Sequence, residues 1–327
     1  MIPRARRQAW LVMSFLLGAV AITIALDGFI SNAIGLHVKA QYDELFDPSV
    51  LAKVMILGSS RATYGINPKE FPNEGRHTFN FALNAAGPRF YLDWYAYAAT
   101  PYYPTPRVVV YNVDWFMFDS QHLHRQFHQD SEWFPIPLLV KMLHKEGKRE
   151  SYAGGGEIGS GEFIRSSFNV ISQRHMLMYI LFAYDRVGDL VIKDSIYHGF
   201  IATGNPNFPL ERTMDDGLGG VDEVSVMALD TLVGTLRDKG VQVIFISSPE
   251  YWQPHNTNLR LYLEHLNALE AIRVKHDIPY LDYRTDPRFD MNTNLAYFSD
   301  WVHLNEVGAS VFSRRLGRDL VKLGVEF

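Results

Sequence analysis

Five short apolar runs punctuate the chain after residue 50. Ala52-Lys-Val-Met-Ile-Leu-Gly58 ends in glycine and reads as a buried strand followed by a tight turn. Thr78-Phe-Asn-Phe-Ala82 alternates less cleanly and gives way at Asn84 to Pro88. Arg107-Val-Val-Val-Tyr-Asn-Val113 is rich in β-branched residues, which suit a pleated surface. Gly240 to Ile246 forms a fourth run and Ile278 to Asp282 a short fifth. Between them apolar residues fall at helical spacing over 91–99, 224–237, 259–275 and 307–323, and the second of these stops at Lys239-Gly240. Strands alternating with helices predict parallel βαβ units in an open α/β sheet. Ligands of such sheets bind at the carboxyl ends of the strands, where the strand order switches.

Two stretches depart from this rhythm. Residues 119–221 separate the third and fourth strands by far more than one crossover needs, and they carry Pro135, Pro137 and the Gly154-Gly155-Gly156 cluster. They read as an inserted helical and loop subregion over the active edge of the sheet, serving as a lid or binding surface. At the other end, Arg4, Arg6 and Arg7 precede an uncharged run of 17 residues from Trp10 to Leu26, extended by Gly28 to Ile30 after Asp27. Three readings compete for that run. A cleaved signal peptide fits Ala19-Val20-Ala21, but the apolar run continues past that point. A buried core helix should show a polar stripe, and none is present. The length sits at the lower edge of a membrane span, about 17–25 residues, and this reading is preferred. Residues 1–30 are thus expected to form an N-terminal membrane anchor with its arginines on the cytoplasmic side. Residues 31–327 are then expected to form an extracytoplasmic α/β domain, periplasmic or on the outer face, with 31–51 as a connector.

Composition narrows the function classes. With 327 residues, 47% of them hydrophobic, the chain can bury a full core. Its net charge of −5 gives no basic footprint, so nucleic acid is not an expected partner. The absence of cysteine excludes disulfides, thiolate metal sites and a cysteine nucleophile, and leaves the compartment open.

The chemistry concentrates at two places. Gly58-Ser59-Ser60-Arg61 follows the first strand, where the chain should turn into a helix. The unpaired N–H groups of a helix start can hold a developing oxyanion beside a serine hydroxyl. Serine is also a common helix cap, so this block is weak by itself. Asp300-Trp-Val-His303 lies after the fifth strand and before the last helix, at the same end of the sheet. A serine needs a base to take its proton, histidine is suited to that at neutral pH, and a carboxylate fixes the histidine tautomer.

Gly58-Ser59-Ser60 resembles the first block of the SGNH/GDSL hydrolases, with Ser59 where aspartate is common. Asp300-Trp-Val-His303 matches their final Asp-x-x-His block, continued by Leu304-Asn305 and Gly308-Ala309. The resemblance implies Ser60 as nucleophile, with Asp300 and His303 completing a triad, on a flavodoxin-like three-layer α/β/α sandwich. It implies an oxyanion hole from the Ser60 N–H with Gly87 or Asn84, which follow the second strand. The family's oxyanion asparagine has no match after the third strand: Val113 stands in its place, and Asn112 is one residue off and faces the other way. The anchor, the Gly-Ser-Ser-Arg block and the long insertion are similar to membrane-tethered SGNH-like proteins that work beside polysaccharide O-acyltransferases, such as the D-alanyl transfer protein and the alginate acetylation proteins. That similarity implies acyl transfer or deacylation on an envelope polysaccharide, beside a multi-spanning membrane O-acyltransferase, without cofactor or metal. A scaffold that kept the fold and lost turnover is the main alternative, and a general carboxylesterase or lipase a further one.

Other residues are candidates for contact with substrate. Arg61 suits an anionic group, or a salt bridge that holds its loop. Asp114 and Trp115 follow the third strand and are expected to line the pocket or to pack. Tyr251, with Trp252, lies after the fourth strand, where it can stack on a sugar ring or pack under the insertion. His122, His124 and His128 share no regular face and read as a solvated segment rather than a metal site. Gly154-x-Gly156-x-x-Gly159 lacks the strand a dinucleotide fingerprint needs. The Gly-x-Ser-x-Gly elbow of α/β-hydrolases is absent.

Overall fold

The computed structural model describes residues 10–15, 17–19, 22, 52–96, 105–125, 196–197, 200–202, 219–251, 259–284 and 290–327. Five strands, β1 (Val54–Leu57), β2 (Thr78–Asn80), β3 (Val108–Asn112), β6 (Gln242–Ser247) and β7 (Tyr280–Asp282), form one sheet in the order β2-β1-β3-β6-β7. Every pairing is parallel. Counting the sheet strands alone, this is the 2-1-3-4-5 order of doubly wound flavodoxin-like sheets, whose direction of winding reverses between β1 and β3.

Alternate residues of the strands feed two separate cores, as the two-residue period of a sheet requires. Met55, Leu57, Val109, Tyr111, Val243 and Phe245 face one side. There they meet α2 (Pro88–Trp94), α3 (Glu223–Asp238) and α4 (Leu259–Lys275). Val54, Ile56, Val108, Val110, Ile244 and Ile246 face the other side, against α1 (Ser60–Gly65) and α5 (Glu306–Lys322). The result is a three-layer α/β/α arrangement with β1 and β3 buried throughout. Each fully buried Phe or Leu contributes about 1.5–3 kcal/mol of apolar burial.

The insertion leaves and rejoins the sheet at one point. The Asp119 carboxylate accepts the N–H of Gln121 and of Gly219, both at 2.8 Å. The Asp222 N–H donates to the Phe118 carbonyl at 2.9 Å. His265 on α4 bonds the Gly219 carbonyl and stacks on Phe118. A hairpin not evident in the sequence, β4 (Ile196–Tyr197) with β5 (Phe200–Ile201), puts Phe200 into the core on the α1/α5 side. Its strands are two residues long, too short to leave a periodic signal. The rest of 126–218, including the glycine cluster, His128 and the expected helices, lies outside the described residues. His122 bonds Asp119 at 2.9 Å, and exposed His124 meets the Gln121 carbonyl.

In the N-terminal run, residues 10–15 and 17–19 are helical, with Trp10, Leu11, Phe15 and Leu17 exposed. Among the described residues no helix is long and apolar enough to cross a membrane.

Candidate active site

β1 delivers the first half of the site. Gly58 follows it at φ +150°, and a Cβ there would lie 2.9 Å from that of Asn112 and 3.0 Å from that of Ala62. Only glycine lets the chain turn this close to β3. Ser59 then caps α1, its hydroxyl accepting the Arg61 N–H at 3.3 Å, and Ser60 is the first helical residue. Asn80 at the end of β2 donates to the Ala62 and Ile66 carbonyls, and Thr63 donates to the Ala82 carbonyl. These buried bonds fix so short a helix against the sheet.

The second half comes from the loop before α5. Asn305 caps that helix through the Gly308 N–H, and the Ser299 N–H bonds the His303 carbonyl at 2.9 Å. Asp300 Oδ1 accepts the backbone N–H groups of Val302 and His303 at 2.9 and 2.8 Å. The turn places the Asp300 and His303 side chains together: Oδ2 lies 2.7 Å from His303 Nδ1. His303 Nε2 lies 2.8 Å from Ser60 Oγ, across 243 residues of sequence.

The electrostatics assign the protons. Burial alone would raise the Asp300 carboxyl, but its hydrogen bond to His303, the imidazole charge and two backbone N–H groups hold it below the usual aspartate range. An ionised Asp300 can only accept, so Nδ1 carries the proton of that hydrogen bond, and whenever the imidazole is neutral its Nε2 lone pair faces the Ser60 hydroxyl. The His303 side chain is 23% exposed and that of Asp300 46%, so the group opens to solvent.

Arg61 and Asp114 sit beneath the site, and the expectation that Arg61 meets an anionic substrate group is corrected here. Arg61 is 1% exposed; Nη1 binds Asp114 Oδ1 at 3.0 Å, Nη2 the Ser248 carbonyl at 2.8 Å, and Glu250 lies 3.6 Å away. Asp114 is 2% exposed and also takes the Ser59 hydroxyl at 2.5 Å. Burial pushes the Asp114 carboxyl up, although Arg61 and the Ser59 hydrogen bond pull it back. Trp115 is likewise buried, its indole N–H on Glu250 at 3.3 Å, so neither Asp114 nor Trp115 lines an open pocket. Tyr251 is half-buried and braces the Asp300 loop: its N–H bonds the Trp301 carbonyl, and its ring packs on Trp301 and Phe298.

The donors expected for an oxyanion are arranged unevenly. No acceptor is found for the Ser60 N–H among the described residues. Asn84 is exposed at the rim, with Nδ2 2.6 Å from the Tyr64 hydroxyl. Gly87 caps α2, buried against Leu123. Asn112 Oδ1 accepts the N–H and hydroxyl of Ser248, its Nδ2 meets Asp114, and Val113 is wholly buried in the opposite core. Neither residue 112 nor 113 offers an open amide.

No family model and no curated protein matches the sequence. One solved structure, from Streptococcus pneumonia and provisionally described as a platelet activating factor, is similar at 10% identity and TM-score 0.42, covering 92% of this chain and 99% of that one. Another, a provisionally described acylhydrolase from Bacteroides fragilis, is similar at 13% identity and TM-score 0.41, covering 87% and 94%.

Sequence reasoning passed over Tyr64. It sits one helical turn after Ser60, and its ring meets His303 edge-on at 5.5 Å. The i, i+4 spacing from the serine was the available signal. Ser59, Ser248 and Glu250 left no comparable signal, because their partners lie 55 or more positions away.

Proposed function

We propose that the protein is a serine-dependent acyl esterase or acyltransferase. The observation that carries this reading is the unbroken chain from Asp300 through His303 to Ser60, with contacts of 2.7 and 2.8 Å. Ser60 Oγ attacks the acyl carbonyl while His303 Nε2 takes its proton. Asp300 holds the imidazole and stabilises its cationic form. The oxyanion is held by the Ser60 N–H together with the Gly87 N–H or the Asn84 amide. His303 returns the proton to the leaving alcohol, and water or a sugar hydroxyl then takes the acyl group from Ser60. The finer reading rests on the N-terminal run and on the resemblance to SGNH-like proteins of envelope acylation. In it the domain is tethered outside the cytoplasmic membrane, works on an O-acylated polysaccharide and partners a multi-spanning O-acyltransferase.

One observation favours a second reading, a scaffold of the same fold with little turnover: the asparagine at the end of β3 is locked to Ser248 and Asp114. A fluorophosphonate probe separates the two. Labelling of wild-type protein that maps to Ser60 and vanishes in Ser60→Ala supports catalysis. A wild type that neither labels nor turns over p-nitrophenyl acetate refutes it. Polymer acylation that persists in cells carrying Ser60→Ala favours the scaffold.

A further inference from the structure

The residues on either side of Ser60 in the chain end on one buried carboxylate. Ser59 Oγ donates to Asp114 Oδ2 at 2.5 Å, and Arg61 Nη1 donates to Asp114 Oδ1 at 3.0 Å. Asp114 is itself fixed, since Asn112 Nδ2 reaches Oδ1 at 3.2 Å. Asn112 is tied in turn to Ser248, the residue just after β6, and Arg61 Nη2 returns to the Ser248 carbonyl. Ser59, Arg61, Asn112, Asp114 and Ser248 are all at most 2% exposed. A closed ring of buried polar groups thus runs from the β1–α1 turn to the ends of β3 and β6, under the one residue of that turn whose side chain points at His303.

We propose that Asp114 is a positioning residue, which sets the Ser60 hydroxyl against His303 by clamping both of its chain neighbours. The inference rests on Ser60 being the nucleophile, and it assigns a role the sequence expectation did not give Asp114. A six-residue helix has few bonds of its own to hold its first residue in place. The clamp supplies that restraint from outside the helix. Arg61 provides the opposite charge that a fully buried carboxylate needs.

The test reads the reactivity of Ser60, not stability alone. A fluorophosphonate probe is applied to full-length wild type, Ser59→Ala, Ser59→Thr, Asp114→Asn and Ser60→Ala. Maximal labelling rate and probe affinity are separated by varying probe concentration, and each fold is checked by thermal melting. Ser59→Ala and Asp114→Asn are expected to lower the maximal rate on the order of 10- to 100-fold with unchanged probe affinity, the scale of a misplacement near 1 Å. Ser59→Thr keeps the hydroxyl and should restore the rate towards that of the wild type. A folded Ser59→Ala that labels at the wild-type rate overturns the clamp, as does a Ser59→Thr as slow as Ser59→Ala. Failure of the wild type to label, or labelling that survives in Ser60→Ala, overturns instead the assignment of Ser60 as nucleophile.

Discussion

Gly308→Ala is the sharpest probe of how α5 carries His303. Gly308 lies in the first turn of α5, and its N–H is held by the Asn305 cap at 2.9 Å. A Cβ at 308 would fall inside the Tyr297 carbonyl group, 2.9 Å from its carbon, and 3.1 Å from a Leu304 methyl. The same Tyr297 carbonyl accepts the Asn305 N–H at 3.0 Å, so it is pinned to the segment that would have to move. Reaching the 3.0 Å limit of real Cβ contacts needs a shift of about 1 Å between α5 and the 295–297 turn. Backbone shifts of this kind cost about 1–3 kcal/mol. Because 303 and 308 are joined through the Asn305 cap, the shift passes into the His303–Ser60 distance, and displacement on that scale lowers rate by roughly 10²-fold. Urea denaturation and the rate of fluorophosphonate labelling, measured on the same sample, give both numbers. A Gly308→Ala protein with wild-type stability and a wild-type labelling rate would falsify the claim that this close approach sets the position of His303.

Three further outcomes are expected. Asp300→Asn should slow labelling of Ser60 by about 10³–10⁴-fold through the wrong imidazole tautomer. Because the Asp300 pKa is depressed in the fold, its stabilising contribution is present above the usual aspartate range and is lost as pH falls through the folded value. Urea midpoints of wild type and Asp300→Asn should therefore converge in acid, by an amount reduced by the half-exposed carboxylate. Asp93, on α2, is pushed up to about 6 by burial, only partly opposed by Arg89. The fold thus binds a proton that the unfolded chain releases, and stability falls as pH rises from about 4 to about 6. Asp93→Asn should remove that step and stabilise the protein at pH 7 by about 1–3 kcal/mol; equal pH slopes for the two proteins in urea melts would refute the assignment. Ala85, beside Asn84, sits at φ +56°. Ala85→Gly should relieve left-handed strain and, after the entropy cost of glycine, stabilise by about 0.5–1 kcal/mol; a lower melting temperature would count against it.

Legibility from sequence followed the range of the interaction. Residues 54–57, 108–111 and 243–246 of the central strands are buried on both faces, so they appear as unbroken apolar runs. Helices α3 and α5 show their periodicity because each has a solvent face. Ser60 and the Asp300–His303 pair were found because each sits in a short block of its own. What joins them to the rest was not visible. Arginine ordinarily reads as a surface residue, so the full burial of Arg61 follows only from the meeting of Asp114 and Ser248, 53 and 187 positions away. The one-residue offset of Asn112 did show in the sequence, and its cause is now plain: the amide is spent on Ser248 and Asp114, not held open beside Ser60.

The clasp at the root of the insertion bears on how the chain can change. Because the excursion starts and finishes at the Asp119 carboxylate, the sheet sees it as a closed loop whose ends are already joined. Doubling the length of such a loop costs the framework only about 0.6 kcal/mol of closure entropy. Among the described residues of the excursion, Phe200 reaches into the core on the α1 side, Leu123 packs on Gly87 and the Arg125 N–H bonds the Ala85 carbonyl, so it also touches the framework beyond its root. Length added between those contacts is therefore cheap for the five strands and the hydrogen-bonded triad they carry.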